Sequence, residues 1–150
     1  MKNIWFKPIT TREINAWRAD TLLEHLSIVF TDIGPDSLTA TMPVDRRTLQ
    51  PLGTLHGGAS CVLAETLGSV AANCCIDLEQ KMCVGLDINV NHIRAVRSGL
   101  VTGIAKPLHI GRSTQVWEIR IVNEENQLVA ISRLTVSVLD KKNPDQKAGF

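Results

Sequence analysis

GGASCVLAETLGSVAANCCI, residues 57–76, decides the fold, because Glu65 is its only charged residue. Ala59, Val62, Leu63, Leu67, Val70 and Cys74 recur at helical spacing, and Ala64, Ala71 and Ala72 add small apolar surface on other faces. A helix apolar nearly all round is expected to be buried. A lone carboxylate on it must then be hydrogen-bonded, paired, neutralised or used. Leading into the helix is Gln50-Pro-Leu-Gly-Thr-Leu-His56-Gly57-Gly58, a loop with an unusual His-Gly-Gly entrance.

The flanking sequence supplies a sheet for this helix to pack on. Thr10-Thr11-Arg12-Glu13 has the form of a capping box, predicting a short helix to about Leu26 with Ile14, Trp17 and Leu22 inward. Residues 27–33 and 37–43 read as strands joined at Gly34-Pro35-Asp36. Residues 82–93 form a long strand, with Met82, Val84, Leu86, Ile88 and Val90 alternating with Cys83, Gly85, Asp87, Asn89 and Asn91. That pattern predicts one face on a core. Strands near 100–107, 113–122 and 127–139 follow, the last two joined by a turn at Asn123-Glu124-Glu125-Asn126. The expected architecture is α+β, one antiparallel sheet wrapped around one long buried helix. A single domain is expected over residues 1–139, with a flexible tail over 140–150.

Composition narrows the function classes. A chain of 150 residues with a formal net charge of +1 offers no bulk electrostatic case for nucleic acid or a membrane surface. The start, MKNIWFKPIT, is too short in its apolar part for a signal peptide, and no apolar run is free of charge for long enough to cross a membrane. Cys61, Cys74, Cys75 and Cys83 make no C-x-x-C pair, and adjacent Cys74-Cys75 is poor disulfide geometry. A reduced, cytoplasmic setting is expected.

The first N–H groups of a helix lack partners and sit at the positive end of its dipole, and glycines allow close approach to that backbone. His56-Gly57-Gly58 therefore makes a carbonyl-binding corner through the Gly57 or Gly58 N–H. Glu65 lies eight residues on, about 12 Å along the axis. One chain cannot easily present both groups to one reacting carbon, but two antiparallel copies of the helix can. A dimer with shared sites is expected. Ser69, one turn beyond Glu65, either positions water, holds the carboxylate or simply packs. Gln50 either orients a carbonyl or water, or is solvated. Asn89-Val90-Asn91-His92-Ile93-Arg94 and Leu108-His109-Ile110-Gly111-Arg112-Ser113 each put His and Arg near a strand end. With Arg46 and Arg47 they are either phosphate-binding groups or solvated turn charges. His56, His92 and His109 lack zinc spacing, so no metal is expected. No G-x-S-x-G elbow, phosphate-binding P-loop or dinucleotide fingerprint is present.

Three stretches together resemble the hotdog-fold acyl-CoA thioesterases: Ala40 to Ser60, Leu63-Ala-Glu65-Thr-Leu-Gly-Ser69, and Val84 to Arg94. Trp117-Glu118-Ile119 and Ser132-Arg133-Leu134-Thr135 belong to the match, which runs from about Trp5 to Leu139. Within the family it is most similar to the 1,4-dihydroxy-2-naphthoyl-CoA hydrolases of menaquinone biosynthesis and to the enterobactin-pathway proofreading thioesterases. The resemblance implies Glu65 as catalytic nucleophile or general base, with Ser69 beside it. It implies Gly57 as the backbone donor to the thioester carbonyl, flanked by Gln50 and His56 of the same chain, while Glu65 and Ser69 come from the partner chain. It implies coenzyme A contacts at Val84, Asn91, His92, Arg94, His109, Gly111, Arg112 and Ser113, no cofactor, and a homotetramer built as a dimer of dimers. The family often has Phe in place of Leu52, and aromatic or Gly residues in place of Ala72 and Asn73, which bears on the acyl pocket. A proofreading enzyme acting on acyl carrier protein and a non-catalytic acyl-CoA-binding module are the rival readings.

Overall fold

A computed structural model describes residues 3–141. Two short helices, α1 (Thr11–Ala16) and α2 (Leu22–His25), precede strands β1 (Val29–Ile33) and β2 (Leu38–Pro43). The long helix α3 (Gly57–Cys74) follows, then β3 (Lys81–His92), β4 (Leu100–Ile110), β5 (Thr114–Val122) and β6 (Leu128–Asp140). The six strands form one sheet in the order β1-β2-β4-β5-β6-β3, antiparallel throughout, so β1 and β3 are its edges.

Helix α3 packs against β2 through β6, with Leu63, Ala64, Leu67, Ala71 and Ala72 fully buried. Gly68 lies so close to the sheet that a Cβ there would stand 2.5 Å from Leu134 Cδ2. Under the helix, Trp117 Nε1–H donates to Gln115 Oε1 at 3.0 Å, and Gln115 Nε2 donates to the Ala72 carbonyl at 3.4 Å. Both side chains are completely buried, so this pairing is what makes their polar atoms tolerable in the core.

The expected helix from Thr10 to Leu26 is two helices. The capping box is present, and Ile14 is fully buried as expected. The chain then breaks at Asp20, whose φ is +58°, and Thr21 caps α2. Helix α1 stops at Ala16, before Trp17, and the break at Asp20 resets the phase before Leu22; the two side chains are 43% and 52% exposed. Asn15 of α1 fixes this segment to the edge strand β1: its Nδ2 donates to the Phe30 carbonyl at 2.8 Å and its Oδ1 accepts the Phe30 N–H at 2.9 Å.

The long strand departs further from its expected pattern. Met82, Val84 and Leu86 are exposed, while Cys83 is buried. The cause is a β-bulge. Gly85 pairs with Val136 and Asp87 with Thr135, leaving Leu86 without an opposite residue. Before the bulge Cys83 and Gly85 face the helix; after it Ile88, Val90 and His92 do. The even-numbered apolar residues are thus divided between the two faces. At the chain's far end Asp140 closes β6 opposite Lys81, and the Lys141 N–H donates to the Gln80 carbonyl at 2.8 Å. The rest of the expected tail lies outside the described residues.

Candidate active site

The loop between β2 and α3 is tied down at both ends. Asp45 and Arg47 form an ion pair at 2.6 Å, and Arg47 Nη1 also donates to the His25 carbonyl and to Ser27 Oγ. These bonds, with the Arg47 backbone N–H, hold the Asp45 carboxyl down to about 2. Arg47 is therefore a structural tie and not a free phosphate ligand; Arg46 stays exposed. Buried Thr48 donates to the Pro43 carbonyl at 2.9 Å, and its own carbonyl accepts the His56 N–H at 2.8 Å.

Gln50 is also committed. Its Nε2 donates to Thr54 Oγ1 and its Oε1 accepts the Leu52 N–H, both at 2.8 Å. The carboxamide is thereby held in one orientation at the mouth of the helix. His56 is the N-cap of α3, and its Nδ1 accepts the Gly58 N–H at 2.8 Å. Such an Nδ1 places the imidazole hydrogen on Nε2. The Ala59 and Ser60 N–H groups bond to the His56 carbonyl. The Gly57 N–H is left without a partner among the described residues. Of the two glycines that sequence alone leaves open, Gly57 is the one with a free donor.

Behind Gly57 stands His92, at the end of β3. A Cβ on residue 57 would lie 2.8 Å from His92 Nε2, so the imidazole rests directly on the glycine. Gln50, His56, Gly57, His92 and Arg94 line one cavity of about 570 Å³, with Val129 among its apolar walls. The structure therefore brings together two groups that sequence reading treats separately, the helix entrance and the end of β3.

Glu65 and Ser69 lie elsewhere. They are two to three turns along α3 and do not line this cavity. Glu65 is half-buried in the single chain, so the expectation of a buried carboxylate needs correcting: one side of α3, carrying Gly58, Val62, Glu65 and Ser69, is only partly covered by the sheet. Ser69 Oγ donates to Glu65 Oε1 at 2.9 Å. One turn on, Asn73 pins the helix to β3. Its Oδ1 accepts the Cys83 N–H at 2.9 Å, and its Nδ2 reaches the Cys83 carbonyl at 3.2 Å and the Ser69 carbonyl at 2.9 Å.

The other expected coenzyme A positions are at the opposite end of the sheet. Thr114 pairs with Ser137, and Ser137 with Val84, so the β4–β5 hairpin with His109, Gly111, Arg112 and Ser113 sits level with Val84. His92 is eight residues away along β3, about 27 Å of strand. Within one chain, the two groups cannot grip the same end of a ligand. Asn91 faces outward with Asn89, along a shallow groove bordered by Glu118 and Arg133.

Leu52 is 80% exposed. Ala72 is buried under Gln115 and Asn73 is spent on β3, so neither lines the cavity at His56. Burial pushes the Cys74 and Cys75 thiols up to about 12 and Cys83 up to about 11. None is a thiolate nucleophile at neutral pH. Asn73, which the sequence links to the acyl pocket, and Gly85, which it assigns only to a strand, instead fix the surroundings of Glu65. A glycine inside an otherwise regular strand was the available signal for the second.

A family model described as the thioesterase superfamily matches residues 52–130. The 1,4-dihydroxy-2-naphthoyl-CoA hydrolase of Escherichia coli is 52% identical over 136 residues, 91% of this chain and 99% of that one. The proofreading thioesterase EntH of Cronobacter sakazakii is 48% identical over 137 residues, 91% of this chain and 98% of its own. The crystal structure of the Haemophilus influenzae thioesterase HI1161 superposes with a TM-score of 0.91 at 48% identity, covering 95% of this chain and 99% of that one. A helix entrance with a free backbone donor, an antiparallel sheet packed on one long helix and this degree of likeness agree: the chain belongs to the thioesterase superfamily and is a thioester hydrolase of the hotdog fold.

Proposed function

We propose that the enzyme hydrolyses an aryl- or acyl-CoA thioester in a dimer whose two sites each draw on both chains. The observation that carries this reading is the separation of Gly57 from Glu65, about 12 Å of helix within one chain. The partly covered side of α3 and the free edge of β3 supply the surface for a second copy. Antiparallel apposition across a two-fold axis brings Glu65 and Ser69 of one chain toward the Gly57 corner of the other. It also carries the Val84 end and the His109–Ser113 hairpin toward the partner's His92 and Arg94. The 27 Å division of the coenzyme A positions is then removed.

In this reading the thioester carbonyl accepts the Gly57 N–H, aided by the dipole of α3. Gln50 and His56 flank the carbonyl. Glu65 of the opposite chain, oriented by Ser69, takes a proton from water as the water oxygen bonds to the carbonyl carbon. The tetrahedral adduct collapses, the C–S bond breaks, and coenzyme A leaves as a thiolate that takes up the proton. If Glu65 attacks directly, an anhydride forms and water then releases both acids. His92, Arg94, His109 and Arg112 bind the phosphates, with Val84, Asn91, Gly111 and Ser113 along the rest of coenzyme A.

The likeness to the E. coli hydrolase supports 1,4-dihydroxy-2-naphthoyl-CoA as the candidate substrate, and a role in menaquinone biosynthesis. Four unpaired cysteines support a reducing, cytoplasmic setting. Two dimers assemble into a tetramer.

The test is thiol release from naphthoyl-, benzoyl- and fatty acyl-CoA, beside the same acyl groups on carrier protein, with sedimentation of the same sample. Aromatic CoA thioesters are expected to turn over fastest, from a dimer or tetramer. Faster turnover of the carrier-bound thioester supports the proofreading reading that the likeness to EntH favours. A monomer with full turnover overturns the shared site, and tight acyl-CoA binding with no hydrolysis overturns the catalytic reading of this chain.

A further inference from the structure

Gly85 stands where a side chain would be easy for the strand to accept. Its backbone is not among the positive-φ positions, which for glycine are Gly53 and Gly99 only, among the described residues. It lies on an edge strand, exposed, and glycine weakens a strand interior relative to alanine. What excludes a side chain is Glu65. A Cβ at residue 85 would lie 2.6 Å from Glu65 Oε1, 3.4 Å from Cδ and 3.6 Å from Oε2, and these are its three nearest neighbours.

Both partners in this contact are held. Glu65 is fixed by the Ser69 hydroxyl at 2.9 Å. The strand is fixed two residues earlier, where Asn73 grips the Cys83 N–H and carbonyl. Immediately after Gly85 the bulge at Leu86 bends β3, a device found where a strand must re-aim what lies beside it. The carboxylate therefore rests across bare backbone at the edge of the sheet.

We infer that Gly85 is a positioning residue for the reaction: the missing side chain is the seat on which the Glu65 carboxylate is held toward the open side of α3. The inference rests on the reading of Glu65 as the catalytic carboxylate. An alanine at 85 requires Oε1 to retreat by about 0.8 Å, from 2.6 Å to the 3.4 Å at which ordinary contact begins. A displacement near 1 Å at a reacting group costs up to about 10²-fold in rate. Gly85→Ala is expected to lower kcat by roughly 10- to 10²-fold. KM should stay within about twofold, because Gly57 and the phosphate-binding groups are untouched.

The experiment is a double-substitution cycle on naphthoyl- or benzoyl-CoA, with melting temperatures throughout. Glu65→Asp shortens the acid by one methylene and withdraws it from residue 85. Gly85→Ala should then cost less than half as much, on a logarithmic scale, in the Glu65→Asp background as in the wild type. Equal loss in both backgrounds, or wild-type kcat in Gly85→Ala, overturns the inference. If Gly85→Ala melts low, the same substitution in Glu65→Ala decides the matter, since nothing then stands over the seat. Recovery of the melting temperature there supports the contact, and an unchanged deficit overturns it. Full activity in Glu65→Gln would instead remove the catalytic reading of Glu65, and leaves the melting cycle to judge the contact alone.

Discussion

Replacing Glu65 by glutamine separates the charge of that side chain from its shape. The amide keeps the length of the acid, and its Oε1 can accept the Ser69 hydroxyl where the carboxylate does now, at 2.9 Å. The fit over Gly85 is preserved. Folding should therefore survive, with a melting temperature within a few degrees of wild type. Loss of a general base or nucleophile costs about 10²–10⁴ in rate. At about 1.36 kcal/mol per tenfold, that is roughly 3–5 kcal/mol of barrier. Ser69→Ala gives the scale for comparison. It removes one hydroxyl from a charged acceptor, a bond worth about 1.5–3 kcal/mol when sheltered. Glu65 is half-exposed in the single chain, so about 1 kcal/mol, or roughly fivefold, is the better expectation. The assay is thiol release from an aromatic acyl-CoA, with kcat and KM determined for both variants. A folded Glu65→Gln enzyme that works at nearly the wild-type rate would refute the reasoning, as would a Ser69→Ala loss equal to that of Glu65→Gln.

His56→Ala should lower stability by about 1 kcal/mol through loss of the N-cap, and activity by less than Glu65→Gln does, because the Gly57 donor remains. Asn73→Ala removes three hydrogen bonds at about 1 kcal/mol each. A melting point lower by roughly 5–10 °C is expected, read by calorimetry. Cys74, Cys75 and Cys83 are held protonated by burial, from an ordinary value of 9.0 up to about 12, 12 and 11. An unfolded chain releases those protons from about pH 9, so this share of stability is complete below pH 9 and is lost as pH rises toward 11–12. Melting temperatures between pH 8 and 11 should fall, and fall less in Cys75→Ser. No three His, Cys, Asp or Glu side chains gather to hold an ion among the described residues. Exhaustive chelation should leave turnover unchanged, and its restoration by one added metal after a loss would count against the water-and-carboxylate route.

Much of the fold is legible in residues 57–74 because a helix with one charge has few places to go. The hairpins are legible because turn residues interrupt alternating runs. The phase of β3 is not. Met82, Val84, Leu86, Ile88 and Val90 form one uninterrupted rhythm, and only pairing with β6 reveals that Leu86 is skipped. Trp17 and Leu22 depart for a similar reason: α1 stops at Ala16, before Trp17, and Asp20 at positive φ breaks the helical phase before Leu22. At the site, the sequence singles out Gln50, His56, Gly57, His92 and Arg94, and the structure places them around one cavity. It does not announce that Arg47 is engaged by Asp45, or that two glycines have different surroundings, one lining the cavity beside His92 and one facing Glu65. Those are properties of neighbours distant in sequence.

The helical asparagines have a consequence for how the sheet can grow. Each occupies both hydrogen-bonding groups of one residue on an edge strand, Asn15 at Phe30 of β1 and Asn73 at Cys83 of β3. On β1, only five residues long, a rung blocked at the second position leaves too little ladder for an incoming strand. On β3 the blocked rung is the third of twelve, and Gly85 to His92 remain available. Any strand that adds to this edge meets a stop at Cys83 and cannot slide past it. One edge is closed and the other admits a neighbour only in a limited register, so edge-to-edge growth of this sheet cannot run on into a fibre.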